Sequence, residues 1–178
     1  ADDFSDNSVD LTMDFGFREA AATTMGVGNL VFVDANGNGH YDAGEGIAGV
    51  TVQLYQGGDI IGLDTPVAQV VTSQTGSYAF YNLSAGSYFV HVPKTQFMIG
   101  GALHGKDSIP GHGEDDGQDD NVDENGIDGT DLDLHGLSTI VFTLGNNQEA
   151  VDAGTETGFD ISSDNTDDNN VDLTVDIG

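Results

Sequence analysis

Short segments of alternating hydrophobic and polar residues, separated by glycine-rich turns, run through most of this chain. The alternation predicts β-strands at 27–33, 50–55, 66–73, 137–144 and 170–177, with two more in 76–92 around a turn at Ser84–Gly86. Residues 18–26 are interpreted as an extended linker, because two threonines and a glycine interrupt any helix there. Seven short strands with almost no helix favour an all-β sandwich.

Composition narrows the class of protein. The 178 residues suit one domain, and a hydrophobic content of 37% argues against a disordered acidic tail. Asp and Glu number 31 against three basic residues, so the formal net charge is -28. Such a charge repels nucleic acid and anionic membrane surfaces, and bound cations would relieve the self-repulsion. There is no cysteine and no apolar run long enough to span a bilayer.

The stretch DANGNGHYDAGE, residues 34–45, follows the first predicted strand and has the ligand spacing of an EF-hand calcium loop. Its ligand positions are filled by Asp34, Asn36, Asn38, the carbonyl of His40, Asp42 and Glu45. The flanking segments alternate like strands, so the loop chemistry is that of an EF-hand but the scaffold is not. The simpler alternative is a polar turn, which glycine and asparagine also favour. Weak calcium sites fill only where calcium is millimolar, which indicates an extracellular location.

Two further acidic stretches are candidate calcium sites. A long insert, about 93–136, has the centre EDDGQDDNVDENGIDGTDLD, which repeats the alternation of oxygen ligands. Two registers are open there: Asp119, Asn121, Asp123 and Asn125, or Asn121, Asp123 and Asn125 before Gly126 with Asp128 just beyond. A third candidate uses Asp160, Asp164 and Asp168. The alternative for each is a solvated acidic loop, which charge runs usually form.

Other site chemistries find less support. Paired carboxylates can hydrolyse glycosides, but here they lie in glycine-rich loops without an aromatic-lined cleft. The histidines do not show zinc spacing, and His91 is expected on the outward, exposed face of its strand. An adhesin or carbohydrate-binding module would need exposed aromatic residues, for which Tyr81 and Phe89 are the candidates. No enzyme activity is predicted.

Two blocks of sequence carry a family resemblance. VGNLVFVDANGNGHYDAGEGIAGVTVQLY and TSQTGSYAFYNLSAGSYFVHVP resemble the SdrD B-like and Cna B-type repeat domains of bacterial surface proteins. The resemblance covers about 26–178, most tightly 26–92, and implies a prealbumin-like Greek-key sandwich with calcium ligands in the loop and a stalk or spacer role in adhesins. Many Cna B-type domains cross-link an early lysine to a late asparagine. Here Lys94 and Lys106 both follow the fifth strand, so we expect no such bond.

The chain also contains an internal repeat. Residues 6–16, DNSVDLTMDFG, match residues 168–178, DNNVDLTVDIG, at eight of eleven positions. In the first copy, Asp10, Thr12 and Asp14 are therefore predicted to face outward. The apolar residues between and beside them are predicted to face a core: Val9, Leu11, Met13 and Phe15. One sandwich has one place for this last strand. The first copy therefore either ends a preceding tandem domain or is donated to a neighbour's sheet. The alternative is an edge strand packed within the same domain.

These observations predict three segments and one role. Residues 1–17 are a strand that belongs to or complements a neighbouring domain, 18–26 are a linker, and 27–178 form the calcium-binding sandwich. The predicted role is a calcium-stabilised module of an extracellular stalk or filament, assembled head to tail, with one to three calcium ions. Its expected partners are copies of itself or adjacent tandem domains, with no nucleic acid and no membrane insertion. The alternative is an adhesin or carbohydrate-binding module.

Overall fold

The computed structural model describes residues 24–37, 41–108, 126–127, 131–145, 171–172 and 175–178. Within these ranges the chain forms two β-sheets, and helix is limited to one α-helical turn and one 3-10 turn. The elements are β1 Met25–Leu30, β2 Thr51–Gln56, β3 Ala68–Val71, β4 Ser77–Leu83, β5 Gly86–Val92, the 3-10 turn Lys94–Gln96, α1 Leu132–His135, β6 Leu137–Ser138, β7 Phe142–Leu144 and β8 Val171–Asp172.

The first sheet has the strand order β4-β1-β8. β1 pairs with β4 in antiparallel fashion, with Val27 opposite Phe80, and pairs with β8 in parallel. A further parallel bridge joins Val31 to Ile177, so the last residues of the chain continue along β1 beyond β8. β1 is thus the central strand of this sheet, and all six of its residues are buried.

The second sheet has the order β3-β2-β5-β6, and β7 also pairs with β5. Every pairing in it is antiparallel, as where Leu54 of β2 lies opposite Val90 of β5. The chain changes sheets after β1, β3, β4 and β7, so the strands are divided between two layers rather than forming one meander. The all-β sandwich predicted from the alternating pattern is confirmed.

The core lies between the two sheets and follows the predicted faces of the strands. Val50, Val52 and Leu54 are fully buried, and so are Val90 and Val92. The first sheet and the connections add further apolar side chains to the same cluster: Val27, Val31, Tyr78, Phe80, Leu83, Phe97, Leu103, Leu132, Val175 and Ile177. Part of the long insert therefore belongs to the core, because Phe97, Leu103 and Leu132 lie within it.

The prediction of one strand over 137–144 is wrong in one respect. The segment forms two short strands, β6 and β7, which both pair with β5. Thr139 lies between them and is buried, and its hydroxyl accepts a hydrogen bond from the Val90 N–H at 3.1 Å. This side-chain oxygen replaces a backbone acceptor of the ladder, and the hydroxyl donates in turn to the Ile140 carbonyl. Such side-chain competition with ladder bonds interrupts a regular strand.

Candidate metal loop and the slot for the last strand

The loop that follows β1 is closed at its base by backbone pairing. Phe32 and Gly46 form an antiparallel bridge, and the Val33 N–H donates to the Glu45 carbonyl at 3.0 Å. The strand that leaves the sheet is therefore joined to the strand that returns to it. As a result, the first and last positions of the predicted calcium loop, Asp34 and Glu45, are held close together although ten residues lie between them in sequence.

The carboxylate of Glu45 ties the two halves of this loop together. Its Oε1 accepts a hydrogen bond from the Ala35 N–H at 2.9 Å, and its Oε2 accepts one from the Asp42 N–H at 2.7 Å. The Asp42 carboxylate in turn accepts from the side-chain amide of Asn36 at 2.6 Å. Three of the predicted ligand residues thus belong to one hydrogen-bonded network.

Asp34 shapes the start of the loop. Its Oδ1 accepts from the N–H of Asn36 at 3.2 Å and from the N–H of Gly37 at 2.7 Å. A short acidic side chain that bonds its own following backbone is the usual way in which Asp initiates a turn. Gly37 has φ of 75°, a left-handed conformation that glycine adopts without strain. Local sequence therefore determines the turn that points Asp34 into the loop.

The chemistry of these groups fits a hard cation. Calcium takes six to eight oxygen ligands, and a carboxylate oxygen that accepts one N–H keeps a further lone pair. Two observations qualify the fit. Among the described residues, no group of three or more His, Asp or Glu side chains lies close enough to hold a metal ion. Asn36 also directs its amide nitrogen, rather than its oxygen, toward Asp42. Asn38 and His40 lie outside the described residues.

The ligands proposed for the second and third sites lie outside the described residues: Asp119, Asn121, Asp123, Asn125, Asp128, Asp160, Asp164 and Asp168. The structure describes the return of the acidic insert to the second sheet. Gly126 forms an antiparallel bridge with Thr139, and the Ile127 N–H donates to the Ser138 carbonyl at 2.8 Å. The centre of the insert is thus anchored immediately after Asn125, and both registers stay predictions.

A second feature is the slot beside β1 that receives the end of the chain. The Ile177 N–H donates to the Leu30 carbonyl at 2.9 Å, and the Ile177 carbonyl accepts from the Phe32 N–H at 2.9 Å. The Tyr78 hydroxyl donates to the Val175 carbonyl at 2.7 Å. Val175 and Ile177 are buried in the core, as their place in the alternation predicts.

The polar residue between Val175 and Ile177 does not face solvent, although the alternating pattern predicts that it does. Asp176 is fully buried at 0% exposure. Its Oδ1 accepts from the Leu30 N–H at 3.0 Å, and its Oδ2 accepts from the side-chain amide of Asn29 at 3.1 Å. A buried carboxylate needs such donors to replace water. The interpretation missed Asp176 and Asn29. Asp14 and Asp176 are identical in the two copies, but so are Asp10 and Asp172, so the repeat alone does not single out the buried aspartate.

The outward face of β5 also differs from the prediction. Phe89, a candidate for an exposed ligand-binding aromatic, is buried and stacks on Tyr55 with ring centroids 5.3 Å apart. His91 was expected to be exposed but is also buried, and its Nδ1 lies 2.9 Å from the Ser138 hydroxyl. Burial lowers the pKa of His91 to about 4. Neighbouring side chains of the same sheet cover this face, which alternation along one strand does not reveal. Tyr81 is 37% exposed.

A family model described as "SdrD B-like domain" matches residues 25–155. The chain belongs to the SdrD B-like domain family. The match begins at the first residue of β1 and includes the closed loop at 34–45, and it ends before the segment that fills the slot. The family is one of structural domains related to surface adhesins, and membership supports an extracellular or cell-surface location for this SdrD B-like domain.

Individual relatives agree with the family match. The domain is 34% identical over 126 residues to a fibrinogen-binding protein of Staphylococcus epidermidis, which is 70% of this chain and 10% of that protein. It is 37% identical over 92 residues to serine-aspartate repeat-containing protein I of Staphylococcus saprophyticus, covering 51% of this chain and 4% of the relative. Colossin-C of Dictyostelium discoideum is 35% identical over 83 residues, which cover 46% of this chain and 8% of that protein. The chain thus spans a tenth or less of each of these relatives.

The described helices are short. In the part of the chain that the structure describes, no helix is long and apolar enough to cross a membrane.

Proposed function

We propose that this SdrD B-like domain is a calcium-stabilised structural module of an extracellular stalk or filament. The observation that carries the proposal is the loop after β1, whose two halves are held together by its closed backbone and by hydrogen bonds to the carboxylates of Asp34, Asp42 and Glu45. Asp34, Asp42, Glu45 and the side-chain oxygen of Asn36 would hold the ion, which would link the two halves of the loop that hydrogen bonds now join.

The charge of the chain gives calcium a second effect. A net charge of -28 opposes the compact state, and each bound ion neutralises two of those charges. Binding to the folded state alone stabilises by RT ln(1 + [Ca]/Kd), about 2.7 kcal/mol per site at a hundredfold excess over Kd. Two or three sites would supply a large share of the ~5–15 kcal/mol that is typical of a domain.

The test of calcium stabilisation is to measure the melting temperature of the domain in excess calcium and in excess EDTA. We expect the melting temperature to fall by about 5–10 °C on chelation for each occupied site at saturation. Magnesium at the same ionic strength is the control, because it demands tighter octahedral geometry and binds such loops less well. Equal melting temperatures in calcium, magnesium and EDTA would contradict the proposal.

We infer further that neighbouring units join head to tail through residues 6–16. The support is the repeat of the last strand at the start of the chain, together with a slot in which that last strand contacts β1. Burial of four apolar side chains contributes roughly 6–12 kcal/mol before entropy, at about 1.5–3 kcal/mol each. Relatives named for their serine-aspartate repeats support adjacent repeat domains as the neighbours.

The test of assembly is light scattering and electron microscopy of the full chain and of variants. Deletion of residues 1–17 and Leu11→Asp should both abolish extended assemblies and leave the melting temperature of the domain unchanged. Leu63→Asp is the matched control, since Leu63 is 79% exposed and outside the repeat. Assemblies of equal length after the deletion would show that this segment is not the connector.

The alternative role is an adhesin or a carbohydrate-binding module. The name of the Staphylococcus epidermidis relative describes fibrinogen binding by that protein, of which this chain covers 10%. The burial of Phe89 removes one of the two aromatic residues that would line such a ligand site. The structural role is therefore the better-supported proposal.

A further inference from the structure

The slot beside β1 has a polar feature at the centre of an otherwise apolar contact. Val175 and Ile177 enter the core on either side of Asp176, whose carboxylate is fully buried against the Asn29 side-chain amide and the Leu30 N–H. Donors of this kind select strongly for an acceptor, because an apolar side chain in the same place would leave them buried without a partner. The slot therefore recognises a strand with Asp between two apolar residues.

One other segment of the chain repeats the sequence of the strand that fills the slot. The four residues that occupy the end of the slot are Val175, Asp176, Ile177 and Gly178, and the offset of 162 positions aligns them with Met13, Asp14, Phe15 and Gly16. The aspartate and the glycine are identical, and the two flanking residues remain apolar. Asp14 is thus the residue that would meet the donors of the slot.

Chain connectivity keeps residues 6–16 out of their own domain's slot. In the register of Ile177, Phe15 would lie opposite Val31, and the chain would then have to return the length of β1 before Met25. The eight residues 17–24 span at most about 26–29 Å when fully extended, and the return alone takes about 20 Å, so at most about 9 Å is left for the two reversals of direction. Parallel neighbours need a crossover of a dozen or more residues, so this linker is too short.

We propose that the slot beside β1 is an Asp-reading docking site for residues 6–16 of a second copy of this chain, with Asp14 as the specificity-determining residue. The inference rests on the proposed head-to-tail pairing and names the contact that selects the incoming strand. Asp14 bonds Asn29 and Leu30 of the acceptor as Asp176 does within the chain, and so it is buried on docking rather than exposed. The chain's own last strand competes for the slot, so docking requires displacement of residues 175–178.

The experiment measures binding of a fluorescein-labelled peptide of residues 6–17 to the full chain by fluorescence anisotropy. The acceptors are the wild-type chain and Asp176→Ala, in which the resident strand loses its buried contact. We expect Asp176→Ala to bind the peptide at least about tenfold more tightly than wild type. A peptide with Asp14→Ala should bind Asp176→Ala at least about tenfold more weakly, because hydrogen bonds to a charged acceptor are lost. A longer peptide of residues 1–17 with Asp3→Ala is the charge-matched control and should bind like its parent.

The same peptides also test the proposal if the Asp176→Ala chain does not fold. If that chain is unfolded, the native peptide should restore its far-ultraviolet circular dichroism by supplying the missing strand, and the Asp14→Ala peptide should not. Equal binding or equal restoration by the two peptides overturns the Asp-reading slot, as does the absence of any effect of either peptide. Loss of assembly on deletion of residues 1–17, combined with equal action of the two peptides, would retain head-to-tail pairing and reject only the role of Asp14.

Discussion

Replacement of Glu45 by alanine separates two contributions that one side chain makes to the loop. In the absence of calcium, Glu45 accepts hydrogen bonds from the Ala35 N–H and the Asp42 N–H, at 2.9 and 2.7 Å. Hydrogen bonds to charged groups contribute about 1.5–3 kcal/mol each, and partial exposure of this loop reduces that to about 1 kcal/mol each. Glu45→Ala should therefore lower the free energy of unfolding in EDTA by about 2 kcal/mol.

In calcium the same substitution removes a carboxylate that can bind the ion through both oxygens. The wild-type domain should gain about 2.7 kcal/mol at a hundredfold excess of calcium over Kd, and most of this gain should be lost in the variant. For a domain of this size each kcal/mol shifts the melting temperature by about 2–4 °C. The expected shifts are about 4–8 °C between wild type and variant in EDTA, and a larger difference in calcium.

The assay is differential scanning calorimetry of wild type, Glu45→Ala and Asp59→Ala, each in calcium and in EDTA. Asp59 is the matched control, because its carboxylate accepts a single backbone N–H, from Gln56 at 2.9 Å, in a turn without the ligand spacing. Its calcium-induced shift should equal that of wild type. An unchanged melting temperature for Glu45→Ala in EDTA would refute the hydrogen-bond contribution. Calcium-induced shifts that are equal in the two variants would refute the role of Glu45 as a ligand.

Two other perturbations test the described contacts. The pKa of His91 is about 4 in the folded state, below its ordinary value, so its contribution to stability is complete above pH ~6.5 and is lost as the pH falls toward 4. Urea unfolding should therefore show the stability of wild type falling relative to His91→Phe by about 2 kcal/mol between pH 7 and pH 5, and a constant difference would contradict the buried, neutral histidine. Tyr78→Phe should destabilise by about 1–2 kcal/mol, since it leaves the buried Val175 carbonyl without its donor. Hydrogen exchange at Ile177 should accelerate in that variant, and unchanged exchange would show that the tyrosine does not hold the last strand.

Local chemistry in the sequence was sufficient for the class of fold and the position of the loop. The positions of β2, β4 and β5 that the period of two predicts to face the core are buried, as at Val52, Phe80 and Val90. The turn at Asp34 forms from its own side chain and the following N–H groups, which is why ligand spacing could be read from consecutive residues. The roles of the ligand residues as a calcium site stay predictions.

Contacts between distant segments decided the rest. Phe89 and His91 alternate outward on β5, yet Tyr55 and Ser138 on adjacent strands cover them. The burial of Asp176 depends on Asn29, 147 residues earlier in the chain, and no local pattern links the two. Alternation reports only which side of a strand a residue occupies. Whether the side chains on that face are buried depends on which strands lie beside them, and sheet order and register determine those neighbours.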